Sequence, residues 1–536
     1  MMAASYDYIV VGSGSSGGAL AARLSENGRY TVLCMEAGTK TENYFWTRIP
    51  AGTAMTIVNP AANWCRYAKS SEALGNRSLY VPGGKIVGGT STINGLIFNR
   101  GQRKDYDGWA RMGCPGWSYE EVLPYFKKLE STDIGSDKYR GRNGPIKVTV
   151  AEKTTPFFDA FIASAKAVGY PENPDYSGET QYGVAMAQQT IWRGRRVGTG
   201  TEYLAPARKR SNLTILTGAE AASLILEGTM CAGVRYRREG RMHEVRANRE
   251  VILSAGAVGS PKLLELSGIG NPELLEKLGI PVVKSLHGVG ENLQDHYGPT
   301  LKWTFRQEGL SPYQLGRGWR LAREAVRYAM FRTGFLSNTL ATLRVFTRSN
   351  EEVDQADIGL LINPFHLEIV NEKRRVAPVN GFLVYAQVQR PESTGSTHIE
   401  SRDPFAAPAI HLNFLATEND RRIAVAAVRR AREIAAAKPI ADAVAEEIQP
   451  GPKVQTDEEI LDFIRTTGGT TFHIVGTCKM GNDAMSVVDE KLRVRGIERL
   501  RVADASVMPT IVSGNTSVPC MMIGEKCADM VLADAH

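Results

Sequence analysis

The first 36 residues constrain the fold more than any other part of the chain. Residues 6–11 form a short apolar run that predicts a buried strand, and residues 31–35 form a second. Between them lie the glycine-rich turn Gly12-Ser-Gly14-Ser-Ser-Gly17 and a segment with helical spacing of leucines. The second run ends at Glu36. This order, a strand, a glycine-rich turn, a helix and a second strand that ends in an acidic residue, predicts a βαβ unit that binds a dinucleotide.

The three glycines of this turn have separate physical roles. Gly12 allows the tight turn, Gly14 lets the backbone approach a pyrophosphate, and Gly17 lets the helix pack on the strand. The helix that begins at Ser15 and Ser16 presents its amide groups and its positive dipole end to the phosphates.

The acid at the end of the second strand restricts the choice of dinucleotide. Glu36, followed by Ala37, lies nineteen residues after Gly17, where a carboxylate can accept hydrogen bonds from an adenosine ribose. This position favours FAD or NAD and disfavours the additional phosphate of NADP. The motif alone does not separate FAD from NAD.

A second glycine cluster occupies residues 82–95. Its centre, Gly88-Gly89-Thr90-Ser91, brings successive backbone amides and two hydroxyls together. Such a nest suits a second anionic or polar section of a cofactor, although a glycine-rich surface loop is the alternative. The chain holds 53 glycines, about a tenth of its 536 residues and above the usual share of about 7%. Their clustering indicates a backbone that approaches a ligand closely.

Two later segments add to these motifs. Residues 256–270 and 290–296 are again rich in glycine and polar residues. With residues 84–107, they resemble the signature segments of the glucose–methanol–choline (GMC) family of FAD-dependent oxidoreductases. The resemblance extends from residue 6 to about residue 532, and it is greatest to the bacterial alcohol and sorbose dehydrogenases of the family.

The resemblance implies FAD and a set of residues that hold it. Some members of the family link the flavin covalently through a histidine at the position of Ile93, so we expect noncovalent FAD here. Ala221, after a strand predicted over 213–216, would contact the adenine through its backbone. The implied cofactor residues are Gly12, Gly14, Ser15, Ser16, Gly17, Glu36, Ala37, Gly88, Gly89, Thr90, Ser91, Asn94, Gly95, Ala221, Asp504, Ala505, Asn515 and Thr516.

The resemblance also implies the architecture. We expect an α/β chain, α+β overall, with a Rossmann-like FAD-binding domain and an interleaved substrate domain. The FAD domain would comprise residues 1–155, 200–300 and 456–536. The substrate domain, an antiparallel sheet covered by helices, would comprise 156–199 and 301–455.

His473 and Asn515 match the catalytic pair of the family. His473 lies in a loop that usually carries proline at the next position, where this chain has Ile474. A neutral imidazole can remove the hydroxyl proton of an alcohol, and an asparagine amide can stabilise the developing alkoxide. The hydride would pass to flavin N5. The implied reaction converts a primary alcohol, or a sugar or polyol hydroxyl, to an aldehyde or ketone.

The substrate pocket and the electron acceptor are less constrained. Choline-specific relatives place an acid within the segment that matches 337–346, which has none here, so choline is disfavoured. Candidate pocket residues are Trp64, Arg344, Phe365 and His366, although Arg344 has the alternative of an ion pair elsewhere. A quinone or another acceptor is expected to take the electrons. Two alternatives remain, an oxygen-using oxidase and a non-redox flavin lyase or photoenzyme.

Charge and cysteine usage bear on location and partners. The net charge of +7 is spread along the chain and does not indicate nucleic-acid binding. The exception is 311–333, where arginines alternate with apolar residues. Such a basic amphipathic helix is a candidate for peripheral membrane contact, with a solvated helix as the alternative. The seven cysteines form no CxxC pair, which indicates a cytoplasmic chain with no metal site.

The same sequence predicts several helix ends. Thr456 and Glu459 have capping-box spacing, and Gly468 is the expected C-terminal cap of that helix. A long helix is predicted over 417–438. Ser260-Pro261 predicts a helix that begins at this proline.

Overall fold

The computed structural model describes residues 5–41, 44–339, 341–370 and 373–535. Two large sheets, one mainly parallel and one antiparallel, organise these residues. The predicted α/β class with two interleaved sheet-based parts is confirmed, because the strands of each sheet come from several separate stretches of the chain.

The mainly parallel sheet contains the predicted N-terminal unit. Val10 pairs with Cys34 on one side and with Ile252 on the other, both in parallel. Beyond that point the sheet continues as an antiparallel meander, and the final strand pairs with residues 251–253. Its strands are Ser5–Val11, Val32–Glu36, Leu213–Thr217, Glu220–Glu227, Met230–Arg238, Arg241–Leu253 and Leu500–Val502.

The two ends of the chain meet beside this sheet. The first helix, Ser15–Leu24, packs along the last helix, Ser517–Asp534. The helices approach so closely at Gly524 that a β-carbon there would lie 2.4 Å from the carbonyl oxygen of Ser16. This contact brings residues 515–517 to the glycine turn of the first unit.

The antiparallel sheet forms the second part. It is covered by helices Phe157–Ala167 and Glu418–Ala435. In spatial order its strands are Val444–Gln449, Thr300–Phe305, Gly381–Val388, Ile358–Asn363, Leu343–Thr347 and Gly183–Met186.

The remaining elements connect these two parts. Further helices are Thr53–Thr56, Arg103–Arg111, Tyr119–Leu129, Ala205–Ala207, Gly256–Glu265, Pro272–Lys277, Gly318–Phe331, Ile440–Ala443 and Asp457–Thr467. Short strand pairs are Arg66–Tyr67 with Tyr80–Val81, Glu130–Ser131 with Ile146–Lys147, Thr149–Val150 with Gln188–Gln189, Ile191–Trp192 with Arg195–Arg196, Ile269–Gly270 with Lys284–Ser285, Tyr297–Gly298 with Gly469–Thr470, Leu367–Val370 with Lys373–Val376, and Ser396–His398 with Ala409–His411.

One helix start was predicted wrongly. The helix Gly256–Glu265 contains Pro261 in its interior and does not begin there. A proline within a helix leaves the carbonyl four residues earlier without its usual donor. Here that carbonyl, on Ala257, accepts a hydrogen bond of 2.6 Å from the Thr477 hydroxyl, so the helix continues.

The ends predicted for the helix before Gly468, and the start predicted for the long helix, agree with the structure. The Thr456–Glu459 capping box is present, and Gly468 directly follows the helix. Gly468 is extended rather than left-handed, because the chain continues at once into a strand. The long helix begins after Thr417 as predicted but ends at Ala435. Among the described residues, no helix is long and apolar enough to cross a membrane.

Candidate active site

A cavity of about 1100 Å³ is lined by residues of both sheets. This volume lies at or above the upper end of the usual range for small-molecule sites, about 300–1,000 Å³. The glycine turn of the first unit forms part of its wall, and strand residues such as Leu361 and Tyr385 of the antiparallel sheet form another. The cavity therefore joins the expected dinucleotide site to the expected substrate side.

The two glycine clusters meet at the cavity wall. Gly89 has a left-handed backbone, and a β-carbon there would lie 2.7 Å from the Cα of Gly14. A β-carbon on Gly14 itself would meet no atom within 4 Å. Gly17 is different, since its β-carbon would lie 2.0 Å from the carbonyl oxygen of Gly12. Gly14 thus leaves its backbone open to a ligand, whereas Gly17 is required for packing.

Most of the residues predicted to hold the cofactor line this cavity. Three of them lie behind the wall instead: Gly17, Gly88 and Ser91. They support the backbone there; the Ser91 hydroxyl, for example, donates a hydrogen bond of 2.7 Å to the carbonyl oxygen of Gly88. Those that line it are Gly12, Gly14, Ser15, Ser16, Glu36, Ala37, Gly89, Thr90, Asn94, Gly95, Ala221, Asp504, Ala505, Asn515 and Thr516.

The two carboxylates in this set are held by the protein itself. Glu36 accepts hydrogen bonds from Ser13 and from the amide of Gly38, at 2.8 Å for the latter. Asp504 accepts from the amides of Gly256 and Ser506, both at 2.8 Å. Burial raises the pKa of both carboxyls. Both groups therefore help to fix the backbone around the cavity.

The predicted catalytic residues face each other in the cavity. The side-chain amide nitrogen of Asn515 lies 3.0 Å from Nε2 of His473. His473 follows the strand Gly469–Thr470, which pairs with Tyr297–Gly298. Asn515 lies just before Thr516, the N-cap of the last helix. Both side chains line the cavity wall.

His296 lies behind His473 and, together with the Thr471 hydroxyl 2.8 Å from Nδ1 of His473, determines its tautomer. Nδ1 of His296 is 3.0 Å from Nδ1 of His473, and Nε2 of His296 is 3.0 Å from the carbonyl oxygen of Gln389. A carbonyl can only accept, so Nε2 of a neutral His296 carries the proton and its Nδ1 accepts. His473 then carries its own proton on Nδ1. Its Nε2 lone pair is directed to Asn515 and the cavity.

A buried aspartate anchors the loop that carries His473. One oxygen of Asp295 accepts the main-chain N–H of His473 at 2.8 Å, and the other accepts the Thr470 hydroxyl. The residue before the histidine, Phe472, has a left-handed backbone with φ of 67°, which is strained for an aromatic residue. Burial raises the pKa of Asp295 to about 7. These bonds hold the strained loop in place.

Arg344 lies behind Asn515 and does not line the cavity. One guanidinium nitrogen donates to the side-chain oxygen of Asn515 at 3.2 Å. Arg344 is 1% exposed, and its other two guanidinium nitrogens have no hydrogen-bond partner within the described part of the chain. Because the guanidinium can only donate, the Asn515 oxygen faces Arg344 and its NH₂ group faces His473. Among the residues that the structure describes, Arg344 has no ion-pair partner, so the alternative of an ion pair elsewhere is not observed there.

Burial and nearby positive charge keep both histidines neutral. Desolvation is the main cause that lowers the pKa of His473 well below its usual value, and His296 and Arg344 lower it further. Desolvation also lowers the pKa of His296 to about 4. Both imidazoles are therefore uncharged at neutral pH, as a general base requires.

Besides Arg344, two more of the predicted pocket residues lie outside the cavity wall. Nε2 of His366 lies 3.0 Å from the carbonyl of Trp303 and 2.8 Å from that of Phe382, so this histidine is structural. Phe365 is buried against Phe335. Trp64 does line the cavity, and the cations of Arg66 and Lys85 lie 4.8 and 4.2 Å from its ring centroid.

Comparison with models of known protein families shows to which family this chain belongs. Residues 6–298 and 391–524 match the N-terminal and C-terminal family models described as GMC oxidoreductase. The chain belongs to the GMC oxidoreductase family. It is thus an FAD-dependent oxidoreductase of the class that acts on CH–OH donors.

Curated relatives match almost the whole chain. An oxygen-dependent choline dehydrogenase of Brucella suis is 39% identical over 534 residues, which cover 98% of this chain and 95% of the relative. One of Rhizobium meliloti is 39% identical over 533 residues, with the same coverage. The expected greater likeness to alcohol and sorbose dehydrogenases stays a prediction.

Solved GMC structures share the fold. Pyridoxine 4-oxidase from Mesorbium loti superposes with a TM-score of 0.89 at 27% identity, covering 99% of both chains. Formate oxidase superposes with a TM-score of 0.91 at 27% identity, also covering 99% of both chains.

The residues of the cavity fit FAD. Gly14 leaves open space where a pyrophosphate would approach, at the start of the helix Ser15–Leu24. Ile93, at the position where some relatives carry a linking histidine, lines the same cavity. The start of this helix and the His473–Asn515 pair line the same cavity, so the residues present would suit a dinucleotide that extends from one to the other.

Proposed function

We propose that this enzyme oxidises an alcohol to an aldehyde or ketone, with His473 as the general base. The contact that supports this proposal is the 3.0 Å approach of Nε2 of His473 to the Asn515 amide within the cavity. A hydroxyl oxygen that enters between them would donate its proton to Nε2 and accept a hydrogen bond from the amide.

The residues behind the pair prepare it for this role. The chain of hydrogen bonds from the Gln389 carbonyl through His296 leaves Nε2 of His473 unprotonated. Arg344 turns the Asn515 NH₂ group toward the substrate oxygen. Because its pKa is low, His473 is a weak base. Proton transfer is therefore expected to accompany cleavage of the substrate C–H bond rather than precede it.

FAD, when bound, supplies the acceptor for the two electrons and the hydrogen of that C–H bond. We propose that it is held noncovalently by the cavity residues that surround Gly14, Gly89 and Asn94. The domain limits given above and the assignment of individual cofactor contacts remain predictions.

The substrate is proposed to be a neutral primary alcohol or a sugar or polyol hydroxyl. Lys302 and Arg374 add positive charge to the cavity wall. Each carboxylate of the described wall already has a protein partner; Glu368, for example, pairs with Arg317 at 3.5 Å. A quaternary ammonium finds no free countercharge there, which argues against choline.

Choline is nevertheless the second candidate. The curated relatives described above are named choline dehydrogenases and are 39% identical to this chain over almost its full length. Their names also describe oxygen as the acceptor, so oxygen stands beside a quinone or dye as the proposed oxidant. A cytoplasmic location, with peripheral contact to the inner membrane through 311–333, remains a prediction.

Anaerobic reduction of the bound flavin tests this proposal. The holoenzyme is mixed with choline, primary alcohols, sugars and aryl alcohols in turn, and bleaching of the flavin absorbance is followed. Rapid bleaching by neutral alcohols supports the main proposal, and bleaching by choline alone supports the second candidate. No bleaching by any alcohol would overturn both. Subsequent addition of oxygen or a quinone dye identifies the acceptor.

A further inference from the structure

The helix Gly318–Phe331 carries its apolar stripe outward. Trp319, Val326 and Met330 follow one another at helical spacing and are 68%, 58% and 67% exposed. The only carboxylate of this helix, Glu324, is 2% exposed and faces the body of the protein, where it accepts the amide of Phe335. A helix that serves only as a cover has the opposite arrangement, with its apolar side turned inward.

Two neighbouring segments extend this stripe into a larger surface. The hairpin Ile191–Arg196 contacts the helix through the Tyr328 hydroxyl, which donates to the Gly194 carbonyl at 2.8 Å. The same hairpin contacts the turn Phe45–Arg48. Both segments expose aromatic side chains: Trp192 is 44% exposed and Phe45 is 66% exposed. We call these three segments together the aromatic face.

The aromatic face is strongly basic. Its three segments, Phe45–Arg48, Ile191–Arg196 and residues 318–332, together contain one carboxylate, the buried Glu324. By contrast, seven of their arginines are not buried. They are Arg48, Arg193, Arg195, Arg320, Arg323, Arg327 and Arg332. On the helix itself, Arg320, Arg323 and Arg327 run along one edge of the apolar stripe. Arg323 and Arg327 both lie near the single carboxylate of Glu324, at 3.8 and 3.9 Å, so positive charge remains in excess. Apolar residues flanked by such an excess of cations are typical of surfaces that lie on anionic lipid.

We propose that the aromatic face binds peripherally to an anionic bilayer. Tryptophan and phenylalanine would enter the interface between headgroups and acyl chains, and the arginines would contact the lipid phosphates. A second copy of this chain is a poor occupant, because a two-fold contact would place the same arginines against one another without acids to pair them. The surface makes no use of His473 or Asn515, so this proposal goes beyond the proposed function and stands apart from it.

The face also adjoins the cavity. The turn Phe335–Ser337, directly after the helix, contacts Pro50–Gly52, and the nearby Thr53 and Thr339 line the cavity wall. A protein seated on lipid through this face would therefore hold that wall close to the bilayer. An apolar alcohol or a lipid-soluble electron acceptor would have a short path to the site.

Vesicle flotation of the FAD-loaded enzyme tests the proposal. We expect the protein to float with vesicles of phosphatidylcholine and phosphatidylglycerol, and to remain behind with vesicles of phosphatidylcholine alone. The triple variant Trp319→Ser, Val326→Ser, Met330→Ser should bind the anionic vesicles at least about tenfold more weakly. The double variant Met112→Ser, Met242→Ser changes exposed apolar residues elsewhere and should bind like the parent.

The results distinguish lipid binding by the aromatic face from its use as a contact between two copies of the chain. Failure of the parent enzyme to float with anionic vesicles, or equal flotation of the triple variant, would overturn the proposal. So would a dimer that forms without lipid and is lost in the triple variant, since the face would then join two copies. Anaerobic flavin reduction by alcohol, measured on the same variants, should be unchanged. A failure of lipid binding is thereby distinguished from a failure of the proposed catalysis.

Discussion

Nδ1 of His296 lies 3.0 Å from Nδ1 of His473, and only one of these two nitrogens can carry the shared proton. The Gln389 carbonyl, 3.0 Å from the other nitrogen of His296, places that proton on His473. The reactive lone pair of the catalytic histidine is thus directed by a main-chain oxygen two side chains away.

Replacement of His296 should slow catalysis without displacing the cofactor. His296→Leu removes one of the two groups that can accept from Nδ1–H of His473 and leaves the Thr471 hydroxyl, 2.8 Å from the same nitrogen. The preference for the reactive tautomer is thereby weakened, and part of the imidazole population adopts the unreactive one. We expect anaerobic flavin reduction to fall by roughly 10- to 100-fold, a part of what a general base contributes. His296→Gln, which keeps an acceptor and a donor, should recover most of the rate. Equal rates for the parent and the leucine variant would refute the tautomer argument.

Removal of the charge of Arg344 should shift the pH dependence of flavin reduction. A nearby cation disfavours the imidazolium, so the loss of this cation raises the pKa of His473. Because the base must be unprotonated, the acidic limb of the rate profile should move to higher pH in Arg344→Gln. Arg344→Lys keeps the charge and should keep the limb near its original position. A shift to lower pH in the glutamine variant contradicts this electrostatic role.

Two glycines of the first motif should respond differently to alanine. A β-carbon on Gly14 meets no protein atom within 4 Å and projects into the cavity, so Gly14→Ala should fold normally but bind FAD at least about tenfold more weakly. A β-carbon on Gly17 would lie 2.0 Å from a main-chain oxygen. Gly17→Ala should therefore lose about 1–3 kcal/mol of unfolding free energy. FAD titration and thermal unfolding measure the two effects, and a reversal of this pattern would contradict the placement of the turn.

The flavin should be released when the protein is denatured. Ile93 is 2% exposed and carries no nucleophile, so the covalent link that some relatives form at this position has no counterpart. After acid precipitation, all the yellow absorbance should remain in the supernatant. Flavin that remains with the pellet would show a covalent bond formed elsewhere.

Local motifs made the cofactor side of the site predictable. The turn from Gly12 to Gly17 and the acid Glu36 lie within one βαβ unit, where spacing along the chain fixes spacing in the fold. His473 and Asn515 were predicted because the segments around them resemble the catalytic segments of the family. These predictions needed no knowledge of how distant parts of the chain meet.

The residues that the sequence did not reveal act through long-range contacts. His296 and His473 are 177 positions apart and meet because the segments around Gln294 and Val475 pair. The sequence showed His296 only as the end of a glycine-rich segment. Arg344 was considered as a substrate contact, but its strand places it one layer behind Asn515.

The sequence pattern also did not determine which face of an amphipathic helix packs against the protein. The amphipathic helix near 317–332 was predicted, but its spacing does not tell which side meets the protein. The structure turns the stripe that contains Trp319 and Met330 to the outside, because Glu324 and Tyr328 make the inward contacts.

The most direct test of the central claim is anaerobic flavin reduction by alcohol in His473→Ala. We expect this variant to retain FAD and the fold, because no cofactor residue is changed, and its reduction rate to fall by about 10²–10⁴-fold. A variant that is reduced at nearly the parental rate with FAD bound would contradict the assignment of His473 as the base.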